Sequence, residues 1–79
     1  MADISDELIR LERWAEEERA KLAGLEGEEY AVQQRRWREA STMAQTAITH
    51  HARATGQDSS EVGHAVRQAV RHAEEDPAE

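Results

Sequence analysis

Residues 54–72 read ATGQDSSEVGHAVRQAVRH. This stretch decides the fold because it holds a helix end, a turn and a helix start in one run. Gly56 suits the left-handed position that closes a helix. Asp58-Ser59-Ser60-Glu61 has the spacing of a capping box, Asp58 to Glu61. Behind it Val62, Val66, Ala69, Val70 and Ala73 recur at helical spacing and predict a third helix over 59–74. Gly63 lies inside that helix but off its apolar stripe, at a cost of about 1 kcal/mol relative to alanine.

Upstream, the same grammar predicts a long second helix from about Glu28 to Thr55, roughly 40 Å if continuous. Its proposed face is Tyr30, Trp37, Ala44 and His51, with Gln34, Ser41 and Ile48 beside them and Ala40 and Ala47 completing the stripe. Thr42 to Gln45 has a second capping-box spacing, the signal of a helix restart, but no glycine or proline lies nearby, so continuity is expected. Trp37 sits among Arg35, Arg36 and Arg38, yet its spacing of seven from Tyr30 and from Ala44 assigns it to packing.

The sequence GLEG at 24–27 breaks the chain before that helix, as a short loop between antiparallel helices does. The first helix begins at Ser5, a good N-cap, with Asp6 and Glu7 at the positive end of its dipole. Ile4 and Ile9 have the spacing of a hydrophobic staple. The seam runs Ile4, Leu8, Leu11, Ala15, Glu18, Leu22, Leu25, in alternating steps of four and three. Trp14 flanks it. Glu18 interrupts it, either as a polar residue paired with an arginine of the second helix or at a solvated edge.

No segment alternates as a half-buried strand would, so the fold class is all-α. The expected architecture is a helical hairpin with a long second helix, plus a shorter third. It is a single domain over 1–79, with flexible ends at about 1–4 and 75–79. At 79 residues the core is small, and there is no phenylalanine and no cysteine. Disulfides and thiolate metal sites are therefore excluded, which leaves self-association, as a dimer, as the expected means of completing the core. The residues assigned to helix packing or self-association are Leu8, Leu11, Ala15, Leu22, Leu25, Tyr30, Trp37, Ala44, Ile48, Val62, Val66 and Val70.

Charge is uneven. The net −7 arises from −6 over residues 1–32, +3 over 33–72 and −4 over 73–79. A basic middle between acidic ends fits charge matching between antiparallel helices, or an anionic partner facing residues 33–72. No apolar run approaches the roughly 18 residues of a membrane span, and the acidic MADISDELIR lacks the pattern of a signal peptide, so a cytoplasmic location without membrane contact is expected.

Residues 48–67 resemble the helix-turn-helix DNA-binding motif through Ala52, Gly56, Val62 and Ala65, departing from it at His51 and Gln57, where that pattern is apolar, and at Thr55, which fits it only marginally. The resemblance implies a regulator whose Ser60, His64, Arg67, Gln68 and Arg71 approach a major groove, with Arg53 and Arg35, Arg36 and Arg38 on phosphates. Residues 56–75 also resemble the second helix of ribbon-helix-helix repressors. That family reads DNA with a preceding strand, whereas the residues before Gly56 are helical in pattern. A third candidate is Glu61-x-x-His64, the spacing of di-iron carboxylate bundles, with Glu18 as an additional ligand and a second copy supplying the rest. It occurs once, so no metal or cofactor is assigned. No nucleophile–base pair or phosphate-binding loop is present. The expected function is therefore non-enzymatic: a small helical interaction or regulatory protein working through protein–protein contacts, with DNA binding as the alternative.

Overall fold

The computed structural model describes residues 4–75, and side chains over 4–72. The expectation of flexible ends falls mainly outside those residues. Ile4, at the edge of that expectation, packs against the core. Three helices and no strands make up the described chain: α1 (Asp6–Ala20), α2 (Gly27–Thr55) and α3 (Ser59–Glu75). The all-α hairpin with a long second and a shorter third helix is thus the observed architecture.

Each boundary has a local cause. Ser5 is extended, and its hydroxyl accepts from the Leu8 N–H at 3.5 Å, opening α1. Asp58 opens α3: its carboxylate accepts from the Ser60 N–H and from the Ser60 hydroxyl, both at 3.0 Å. Between them α2 runs unbroken through Thr42 and ends at Gly56, whose φ of 70° is left-handed. There the Gln57 N–H reaches the Ala52 carbonyl at 2.8 Å and the Gly56 N–H reaches that of Arg53 at 3.4 Å. This Schellman pair satisfies carbonyls that the helix end would otherwise orphan. Thr55 adds its hydroxyl to the His51 carbonyl at 2.8 Å and accepts from the Gln57 amide at 2.7 Å.

α1 stops earlier than its heptad seam. The helix ends at Ala20, and Leu22 and Leu25 lie in a tight turn whose N–H groups bond three residues back. Both leucines are only half-buried. The seam therefore packs as a helix face only as far as Glu18.

α1 lies along α2, and α3 touches both. The core joins Leu8, Ile48, Ala52, Val62 and Val66, with Ile4 and Ala47 against it. The fully buried larger side chains are Ile48, Val62, Val66 and Val70. On α2 the buried positions are Gln33, Ala40, Ala44, Ile48 and Ala52, which differ from the expected Tyr30-based stripe. Tyr30 is 39% exposed, while Trp37 and His51 are half-buried. The reason is geometric. A seven-residue step drifts by about −20° on a straight helix, whereas steps of four drift by about +40° each. The buried line on α2 thus winds from the α1 side at Gln33 to the α3 side at Ile48 and Ala52, because two different neighbours meet this one helix.

The molecule measures 43 × 34 × 16 Å, the long dimension being that of α2. Its radius of gyration is 14.0 Å, against about 12 Å for a compact domain of this length.

Candidate interaction surface

The distribution of apolar bulk over the molecule is unusual. Among the described residues, four of the nine buried apolar ones are alanines: Ala15, Ala40, Ala44 and Ala52. Meanwhile Trp14, Tyr30, Val32 and Met43 are exposed, at 36%, 39%, 38% and 53%. Leu11, Leu22, Leu25 and Trp37 are only half-buried. Large side chains are the ones with most to gain from burial, roughly 25 cal/mol per Å². Here alanines share the core with Leu8, Ile48 and three valines, while several large apolar side chains stay at the surface.

Four of the exposed or half-buried residues, Leu11, Trp14, Val32 and Met43, share one side of the hairpin. A groove of about 580 Å³ runs between α1 and α2, with Leu8, Leu11, Met43 and Ala47 as its apolar floor and Glu7 and His50 at its rim. No α3 residue lines it. The cleft on the other side of the hairpin is lined by Glu12, Glu16, Trp37, Ser41, Arg67 and Arg71, among others. On α2, Met43 and Ser41 are two residues apart and so point about 200° from one another, and the same holds for Trp14 and Glu12 on α1. The groove face and the α3 face are therefore opposite sides of the hairpin. Val32 lies eleven residues, about three turns, before Met43 and falls on the same side. Trp14 lies seven residues after Glu7 and does likewise.

The hairpin is locked by one polar junction. Glu18 is 8% exposed and Gln33 5%. The Gln33 amide donates to both the Glu18 carboxylate and the Glu18 carbonyl, each at 2.7 Å, while Lys21 approaches that carboxylate at 3.2 Å. The hydrogen bond from Gln33 holds the Glu18 carboxyl below its ordinary pKa against the opposing effect of burial, with Lys21 and the Trp14 indole N–H helping. The partner of Glu18 across the helices is thus a glutamine and not an arginine. Gln33 is a structural position that periodicity missed.

The alternative nucleic-acid residues are spread over two surroundings. Ser60, His64 and Gln68 are exposed on α3, and Arg53 is exposed near the end of α2. Arg67 and Arg71 line the α1–α3 cleft with Glu12 and Glu16. The Arg67 guanidinium also folds over Gly63, about 3.6 Å from where a Cβ would stand. Glu12 has its pKa raised by burial, and further by the neighbouring Glu16, with Arg67 opposing. Much of the basic character of α3 therefore faces carboxylates of its own chain. The carboxylate–histidine candidate does not assemble within one chain: Glu61 and His64 are exposed on α3, Glu18 is engaged by Gln33, and no group of three metal-ligating side chains forms among the described residues. No helix among them is long and apolar enough to cross a membrane.

Comparison of the chain with protein-family models, with curated proteins and with solved structures gives no match. Its reading rests on its own residues.

Proposed function

We propose that this is a non-enzymatic helical interaction protein of the cytoplasm, acting through protein–protein contacts on the hairpin face that α3 leaves open. The observation that carries the reading is the exposure of Trp14, Val32 and Met43 on the side of the hairpin that holds an apolar groove. Aromatic and methionine side chains are enriched at the centres of interfaces and depleted of reasons to sit in water. A regulatory role follows if the contact is reversible, which the modest size of the face favours.

The nucleic-acid reading retains a specific motif, the capped turn at Gly56–Asp58 followed by exposed Ser60, His64 and Gln68. Against it stand the acidic chain and the two arginines that line a cleft with glutamates.

One experiment separates the two. The immobilised chain is used to capture partners from lysate with and without nuclease, alongside Met43→Lys and the double variant Arg67→Ala, Arg71→Ala. The protein-contact reading expects nuclease-resistant capture that Met43→Lys abolishes and the double arginine variant preserves. Capture that disappears with nuclease, weakens steeply with salt and depends on the arginines would replace it with the DNA reading.

A further inference from the structure

We draw no further inference here: the strongest candidate, the open apolar groove between α1 and α2 floored by Leu8, Leu11, Met43 and Ala47, belongs to the interaction surface already described, and nothing in the structure shows what covers it.

Discussion

Gly56 and Gly63 lie seven residues apart and behave as opposites. Gly56 sits at φ 70°, where a side chain is strained whatever space surrounds it. Gly63 is helical, and a Cβ there would meet only the Arg67 guanidinium at ordinary contact distance, 3.6 Å. Gly56→Ala should therefore destabilise the fold by about 1–2 kcal/mol through left-handed strain. Gly63→Ala should stabilise it by about 1 kcal/mol through helix propensity. Urea denaturation of the two variants checks both signs. Glu12 supplies a pH test. Its carboxyl is held above the ordinary 4.5 in the folded chain, chiefly by burial. The folded state therefore binds this proton more readily than the unfolded state, and the ionised side chain counts against folding. That penalty is absent below the unfolded pKa, enters as pH rises through the folded one, and persists above it. Glu12→Gln should thus melt higher than wild type at pH 7, with the advantage vanishing toward pH 4. An equal gain at both would refute the assignment.

At the scale of elements, helix ends and capping chemistry were legible in sequence. Ser5, Gly56 and Asp58 terminate or start helices in the way their side chains and backbones dictate. The end of α1 was not legible, because the group that caps it comes from another helix. The Gln33 amide, fifteen residues away, satisfies the Glu18 carbonyl, one of the last four of α1 and so without an intrahelical donor of its own. Gln33→Ala removes that donor and leaves a buried carbonyl unpaired, at a cost of about 1–3 kcal/mol. Amide exchange in the last turn of α1 should accelerate more than in α3. Uniform acceleration across all three helices would indicate global loss and contradict the local capping role. The face of α2 was misjudged for a related reason: a helix with two neighbours at different angles has no single stripe. Tyr30 and Trp37 begin a seven-residue stripe, but the burial follows Gln33, Ala40, Ala44, Ile48 and Ala52.

At the scale of the whole molecule, stability hangs on few atoms. Ile48 is buried to 1% and joins all three helices through Leu8, Ala52, Val62 and Val66. Ile48→Ala should cost about 2–5 kcal/mol, a large share of the stability a small domain possesses. Thermal melting should show it largely unfolded near ambient temperature, whereas Ile48→Val, costing about 0.5–1.5 kcal/mol, should retain a cooperative transition. Local rules acting over a few residues were enough to read three helices, the turn at Gly56 and the apolar face of α3, since propensity, capping and a 3.6-residue period are properties of neighbouring side chains. Which side of α2 is buried, who pairs with Glu18, and where Arg67 and Arg71 spend their charge depended on helices meeting across the fold. Those contacts join residues far apart in the chain, and no spacing along it encodes the angle at which two helices arrive at a third.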